Sequence, residues 1–462
     1  MKIKDKKAED IRIAYVGGGS RGWGRGLMSD LALAEDLSGT VYLYDIDAET
    51  AKQNEIIGNN IEEAGGRWNY KAVDSLKEAM IGADFVVISI LPGTFDEMES
   101  DVHVPEKYGI YQAVGDTTGP GGIVRALRTL PMFEEIALAI KEFCPDAWVI
   151  NYTNPMSLCT GLLYQIFPEI KAFGCCHEVF STQKLLVSAL KEFEGVEDAK
   201  REDIKINVVG INHFTWLTKA QYQNIDLFPV YKKFVEKYKD TGFCRDEKEN
   251  NLNVFFKTMQ KVKFDLFQRY GWIAAAGDRH LAEFCPGDWY LESPQRVEEM
   301  LFALTPVSWR RGRLSELLEE TDKLISGEEK FKVKPTGEDS VKQIRALIGL
   351  EDACTNVNLP NIGQIPNLPL GAVVETNAQF TANSVTPVMA GNVPENILPL
   401  IGHVCAEQEM VLTAVLERDV SKAFNAFASD PLVRLPLDKA KELFKEMLAN
   451  TAEYLTMYNL DF

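Results

Sequence analysis

A turn constrains this chain more than any other feature. The stretch IRIAYVGGGSRGWGRGLMSDLAL, Ile11 to Leu33, runs from an apolar segment into three consecutive glycines and then into an amphipathic segment. The pattern predicts a strand over Ile11–Val16, a tight turn and a helix over Arg25–Leu33. Gly17, Gly19 and Gly22 fit G-x-G-x-x-G. In that pattern the first glycine permits the turn and the second lets a pyrophosphate approach the backbone. The third permits close helix–strand contact, and the free helix N–H groups receive the phosphate charge. A second strand, TVYLYDID, ends near Asp45, 28 residues after Gly17. A carboxylate at that strand end suits the two adenosine-ribose hydroxyls and favours NAD over NADP, whose 2′-phosphate it would repel.

A glycine fingerprint alone describes many βα turns, so its surroundings matter. ADFVVISILPG supplies another buried strand, Phe85–Ile90, with Ser89 at its carboxyl end, and DAWVINYTNP supplies one ending at Asn151. Between them, DTTGPGGIVRALRTLPMFEEIALAIKEF joins a glycine-rich turn to a long amphipathic helix. The alternation predicts an α/β fold with a Rossmann-like parallel sheet, whose ligands sit outside the carboxyl ends of its strands. The expected nucleotide contacts are Gly17, Gly19, Ser20, Gly22, Asp45 and Ser89. Asn151 and Asn154 flank the turn before Pro155. Their amides suit sugar hydroxyls, and they equally suit a turn that satisfies its own backbone.

Bulk properties exclude several classes. A chain of 462 residues usually exceeds one hydrophobic core, so two intimately packed domains are expected. Its 46% apolar and 25% charged content is that of a soluble globular protein. A formal charge of −19 argues against nucleic acid as a partner, while a local arginine pocket can still receive an anionic small molecule. The N-terminal apolar run is short and ends in glycines, as a first strand does and a signal peptide does not. No run approaches the roughly 18 residues of a membrane span. Eight cysteines at this length, with no export signal, point to a reducing cytoplasm.

The stretch GCCHEVF, Gly174 to Phe180, follows the short strand IKAF and precedes the helical STQKLLVSALKEF. It is therefore expected at the same edge as the earlier turns. Adjacent Cys175 and Cys176 lack the C-x-x-C spacing of a redox pair and the second pair of a structural zinc site. In IKINVVGINHFTW, His213 directly follows an apolar run. Two ligands such as Cys176 and His213 would leave a divalent ion open to substrate oxygens. A packed thiol and a hydrogen-bonded imidazole explain the same residues. GDRHLAEF offers Asp278 as a base, Arg279 as a partner for an anionic substrate and His280 to orient either. A helix-entry cap by Asp278 with Arg279–Glu283 support is the structural alternative.

Read together, VGGGS, DTTGPGGIVRALRTLP, NYTNPM, CCHEVF and GINHFTW resemble glycoside hydrolase family 4 over nearly the whole chain. This resemblance implies a glycosidase dependent on NAD and a divalent ion, commonly manganese. Its implied chemistry is transient C3 oxidation, metal-assisted C2 deprotonation, elimination of the C1 glycosidic bond, water addition and C3 reduction. That differs from the paired-carboxylate route of most glycosidases. The resemblance makes Cys176 and His213 the metal ligands, Asn154 and neighbouring Asn151 substrate contacts, and His177 a proton-handling residue. Cys175 is left to packing. Asp278 stands as the candidate base in place of the tyrosine of the phosphoglycosidases, with His280 or a metal-bound water as the other choices.

Cys-His-Glu-Val resembles the branch acting on unphosphorylated α-glycosides, and GCCHEVFSTQKLL, NHFTW and AAGDRHLAEF look closest to bacterial α-galacturonidases. A uronide substrate implies arginines for the C5 carboxylate, with Arg279 one candidate. An α-glucosidase or α-galactosidase of the same family is the alternative. An NAD-dependent sugar dehydrogenase and a noncatalytic NAD- or sugar-binding protein are the readings from other classes.

The expected organisation is a Rossmann-like domain over 8–200 and a mixed, largely helical α+β domain over 201–462. The second would complete the substrate and metal sites and the oligomer. Helical patterns fall at Ser340–Leu350, Gly402–Leu416 and Leu437–Asn450. The turn-rich NLPNIGQIPNLPLGAVVETNA separates the first two and borders the cleft. Family resemblance implies a homodimer or homotetramer.

Overall fold

The computed structural model describes residues 1–244, 254–256 and 258–461. In chain order its strands are β1 Lys2–Lys4, β2 Lys7–Val16, β3 Leu37–Tyr44, β4 Trp68–Val73, β5 Phe85–Ile88, β6 Trp148–Asn151 and β7 Lys171–Gly174. They continue as β8 Ile204–Ile211, β9 Phe214–Tyr222, β10 Ile225–Asp226, β11 Ile273–Ala274, β12 Ala353–Pro360, β13 Val373–Thr381 and β14 Ser384–Pro387.

The larger sheet has the order β14-β13-β12-β7-β6-β5-β2-β3-β4, with β1 folded back on β2. Its strands from β2 to β7 pair in parallel. Continuous apolar runs such as FVVI in β5 are buried throughout, as a parallel strand covered on both faces requires. Residues 353–387 then return to the sheet, with Asn358 of β12 pairing antiparallel to Gly174 of β7. The sheet is thus built from both sides of residue 200. Within the stretch expected to be turns, Val373–Thr381 is a strand and residues 361–372 are the turn before it.

One core lies between this sheet and helices Gly119–Phe143, Met156–Ile166 and Leu398–Glu417. Helix Trp23–Leu33 and helix Ser340–Leu347 cover the opposite face. A separate antiparallel sheet of β8 to β11 packs on helices Glu178–Glu194, Leu227–Tyr238 and Lys261–Tyr270. Helix Gly119–Phe143 carries Pro120 in its first turn, where a missing N–H costs nothing. Arg128, in its middle, is fully buried and makes a two-pronged ion pair with the equally buried Asp101. Among the described residues no helix is long and apolar enough to cross a membrane. Cys144, Cys159, Cys175, Cys176, Cys285, Cys354 and Cys405 are free thiols.

Candidate active site

The carboxyl ends of β2, β5, β6 and β7 present Gly17, Ser89, Asn151 and the Cys175–His177 turn along one edge. Gly17 has φ +94°, and a Cβ there would stand 2.0 Å from the Ser89 carbonyl oxygen. A Cβ on Gly19 would stand 2.0 Å from Thr50 Oγ1, and one on Gly18 would stand 2.7 Å from Leu43 Cβ. Gly22 has nothing within 4 Å on that side, so the close approaches are those of the Gly17–Gly18 turn to Ser89, after β5, and Leu43, in β3, and the expected helix–strand contact at Gly22 is not made. Helix Trp23–Leu33 starts without a side-chain cap on Gly22 and without an acidic residue in its first turn. Its open N–H groups suit a phosphate, as the glycine cradle does. Ser20 Oγ takes the Gly24 N–H at 3.2 Å. Asp45 accepts the Gly19 N–H at 2.9 Å and the Asp47 N–H at 3.0 Å, bracing the same loop.

The polar cluster forms where three segments converge. The first is the Cys175–His177 turn, anchored by Cys175 N–H to the Asn151 carbonyl at 2.9 Å. Cys175 turns its thiol to Gln343 Oε1 at 3.2 Å, in the apolar layer beneath. Cys176 lies on the cluster side, buried. Burial, helped by the negative charges of Glu375 and Glu178, pushes the Cys176 thiol well up.

The second segment is the β8–β9 turn, where Asn212–His213 is a cis peptide. His213 Nδ1 meets Thr117 Oγ1 at 3.2 Å, leaving Nε2 as the nitrogen able to coordinate. Burial and the neighbouring His280 hold His213 down to about 3, so it stays neutral, as a ligand must. The third segment is helix Asp278–Glu283, which stacks His280 on His213 with ring centroids 4.0 Å apart. Burial lowers His280 as well, and its Nδ1 is buried without a partner.

Two carboxylates face this imidazole pair. Burial would raise Asp116 and Glu178, yet both are held down to about 2. Arg125, His280 and His213 act on Asp116; His280, His177 and His213 act on Glu178. Glu178 also accepts the Gly277 N–H at 2.7 Å, and Asp116 accepts from Thr117 at 2.7 Å and Asn154 at 3.4 Å. Asn154 precedes a cis proline and leaves its Oδ1 buried and unpartnered. His177 stands at the rim, its Nδ1 2.9 Å from Glu338 and its ring 5.8 Å from Trp23. Burial would lower His177, but Glu338 and Glu178 outweigh it and raise it.

Among the described residues, no three His, Cys, Asp or Glu side chains form a common metal cage. An ion on Cys176 and His213 would therefore have two protein ligands and open positions. The unpartnered Asn154 oxygen and the soft sulfur beside a neutral imidazole fit such an ion. The glycine cradle above them fits a dinucleotide.

A family model described as family 4 glycosyl hydrolase matches residues 12–192, and its C-terminal domain matches 208–433. The chain belongs to glycoside hydrolase family 4. It is 61% identical over 458 residues to an α-galacturonidase of Thermoanaerobacterium saccharolyticum, covering 98% of each chain. The solved Bacillus subtilis protein lplD matches with a TM-score of 0.92 at 52% identity, covering 96% of this chain and 100% of that one. A 6-phospho-α-glucosidase from gut microorganisms, solved with NAD and Mn2+, shares the fold at TM-score 0.81 and 20% identity, covering 96% and 99%.

Within this family 4 framework the expected residues divide. Cys176, His213, His280, Asn154 and His177 come together. Asn151 is fully buried and bonds both ways with the Thr153 backbone, at 2.9 and 3.2 Å, closing its own turn. Asp278 is fully buried beneath the cluster, accepts the Lys263 N–H at 3.1 Å and faces the Lys263 ammonium. Gly277, not Asp278, caps the helix. Arg279 donates to the Ala113 carbonyl at 2.8 Å and to Thr305 rather than supporting Glu283. Glu283 instead accepts the Val114 and Gly115 N–H groups at 2.6 and 3.1 Å, holding the loop that carries Asp116.

Sequence reasoning missed Glu375. This fully buried β13 carboxylate accepts from Asn212 at 3.1 Å and Asn356 at 2.7 Å. Asn356 also donates to the Cys176 carbonyl at 3.2 Å. One carboxylate thus links the turns bearing Cys176 and His213. A buried Glu inside the apolar VVETNA was the available signal.

Proposed function

We propose that this family 4 enzyme is a cytoplasmic α-galacturonidase, hydrolysing α-linked galacturonides with NAD and Mn2+ or another divalent ion. The observation that carries the reading is the 61% identity to an α-galacturonidase over 98% of both chains. Gly17, Gly19, Ser20, Gly22, Asp45 and Ser89 hold NAD, and Cys176 with His213 holds the ion. When bound, NAD accepts and returns the hydride of sugar C3, and the ion polarises the C3 oxygen. The 6-phospho-α-glucosidase of this fold binds the same pair.

The remaining steps belong to protein side chains. Asn154 offers its free Oδ1 to a sugar hydroxyl, while Asn151 keeps that turn in shape. Thr117 fixes the His213 tautomer, which leaves Nε2 free to hold an ion. His280 is the base for the C2 proton: it is neutral, it is unpartnered at Nδ1, and Glu178 lies 3.8 Å from its Nε2 to stabilise the imidazolium. His177, whose imidazolium form Glu338 and Glu178 favour, gives its proton to the leaving oxygen. Asp278 braces the start of the helix carrying His280 through its bond to Lys263. The active particle is proposed as a homodimer or homotetramer, read by light scattering.

The deciding experiment compares an α-galacturonide with the neutral α-galactoside under reducing conditions, omitting NAD and manganese in turn. The uronide should be cleaved far faster, only with both additions, and with little net NADH. Equal or better cleavage of the neutral sugar overturns the substrate, and stoichiometric NADH overturns the reaction class.

A further inference from the structure

Three buried or half-buried guanidinium groups, Arg125, Arg279 and Arg310, lie close enough to Asp116 to feel its charge. Two of them have partners, Arg279 through its Nη2 alone, with its Nε buried and unpartnered among the described residues. Arg125 donates to the Asn154 carbonyl at 3.4 Å and feels Asp101 as well as Asp116. Arg279 bridges the Ala113 carbonyl and Thr305, and its guanidinium sits 4.4 Å over the Phe256 ring. It is a strut between the Asp116 loop and the segment entering helix Val307–Ser326.

Arg310 differs. It lies in the first turn of that helix, half-buried, yet among the described residues it donates to no acceptor and pairs with no carboxylate. Its neighbour Arg311 bonds to Asp96, and Arg313 bonds to Glu316. The base beneath Arg310 is firm: the Val307 N–H donates to His103 Nε2 at 3.1 Å, and Trp309 packs edge-on to Phe256 at 5.2 Å.

The half-buried Arg310 guanidinium carries no internal hydrogen bond among the described residues, and it is repelled by Arg279 and Arg125. Asp116 is the one carboxylate acting on Arg310, and it already accepts from Thr117 and Asn154. Arg310 therefore presents a fork of free donors, which is the arrangement that recognises a carboxylate bidentately. We propose that Arg310, rather than Arg279, grips the substrate's C5 carboxylate and sets the preference for a uronide. The assignment rests on the galacturonidase reading above and deepens it.

The test uses the holoenzyme with NAD and manganese, comparing p-nitrophenyl α-galacturonide with p-nitrophenyl α-galactoside. Arg310→Met keeps the stem and removes the charge. Loss of one charge-assisted contact should cut the uronide-to-neutral ratio of kcat/KM by about 10- to 150-fold, mainly through KM. Inhibition by free galacturonate should weaken in parallel. Arg310→Lys, which keeps the charge without the fork, should fall between, and it serves as the second variant should Arg310→Met fail to fold.

An unchanged ratio and an unchanged galacturonate inhibition constant in the variants overturn the assignment. A wild-type enzyme with no preference for the uronide overturns the parent reading instead, and the two failures are distinguished before any variant is made.

Discussion

Replacing Glu375 by Gln should destabilise the metal-free protein at pH 5 and much less, or not at all, at pH 8. Glu375 is fully buried and accepts from Asn212 at 3.1 Å and Asn356 at 2.7 Å. At pH 5 the group is the carboxylic acid, both of whose oxygens can still accept, whereas a glutamine keeps one acceptor oxygen and turns a donor toward the other amide. One buried bond is lost and a donor is stranded, at a cost of about 1–3 kcal/mol. The pH term has the opposite sign. Burial, only partly offset by Asn212, Asn356 and Asn358, raises Glu375 to about 7 from an ordinary 4.5. Between those values the folded state binds a proton that the unfolded chain has released, so wild-type stability falls as pH rises. Each unit of pH there removes about 1.4 kcal/mol, about 3 kcal/mol in all. Glutamine does not titrate and escapes this loss. The gap between wild type and Glu375→Gln should therefore close by about 3 kcal/mol from pH 4.5 to above 7, and can reverse. Urea unfolding at pH 5, 6, 7 and 8 reads it. A gap that is constant, or that widens toward alkaline pH, would refute the reasoning. Because Glu375 ties both ligand-bearing turns, manganese affinity measured by equilibrium dialysis should fall in the variant while NAD affinity holds.

The other predictions concern the ion, the nucleotide and the helix core. The Cys176 thiol is pushed up by burial and by two carboxylates, so an ion can bind it only by displacing its proton. Calorimetry of manganese binding in buffers of different ionisation enthalpy should show about one proton released per ion, and none in Cys176→Ser; zero release in wild type removes Cys176 as ligand. Gly17→Ala must fit a Cβ 2.0 Å from the Ser89 carbonyl at φ +94°, so it should abolish measurable NAD binding and cost more than about 2 kcal/mol of stability. A variant with unchanged Tm and NAD affinity contradicts the cradle. Asp101→Ala strands Arg128 in the core, where both partners are fully buried, and should cost about 3–5 kcal/mol in urea unfolding; a loss below about 1 kcal/mol would show the pair to be dispensable.

The parts of this molecule that were legible in its sequence are those specified by neighbours in the chain. The glycine turn, the buried β5 and β6 runs and the Cys176 turn each announce themselves within about ten residues, because strand period and turn chemistry are local. His213 was legible for the same reason, standing directly after an apolar strand. What escaped was set by pairings across the chain. Glu375 acts on Asn212 and on Asn356, which in turn reaches Cys176, 180 positions earlier in the sequence. β13 itself hid inside a stretch rich in Asn, Pro and Gly, because its partner β12 lies beyond the turn. Asp278 and Arg279 carried the right residue types for a base and an anion clamp, yet one meets Lys263 and the other Thr305.

The sequence motif places the anion-binding arginine at Arg279, whereas the fold leaves Arg310 as the arginine with free donors. Sequence can show that an arginine is near catalytic-looking residues, but only the fold shows whether its donors are already engaged. Arg279 sits in the motif and its Nη2 is tied to Ala113 and Thr305; Arg310 lies outside every motif and has no donor engaged among the described residues. A cation whose partners are all internal can brace a loop but has little left to recognise a substrate. Specificity in this cleft is therefore sought where the protein has left a charge unanswered.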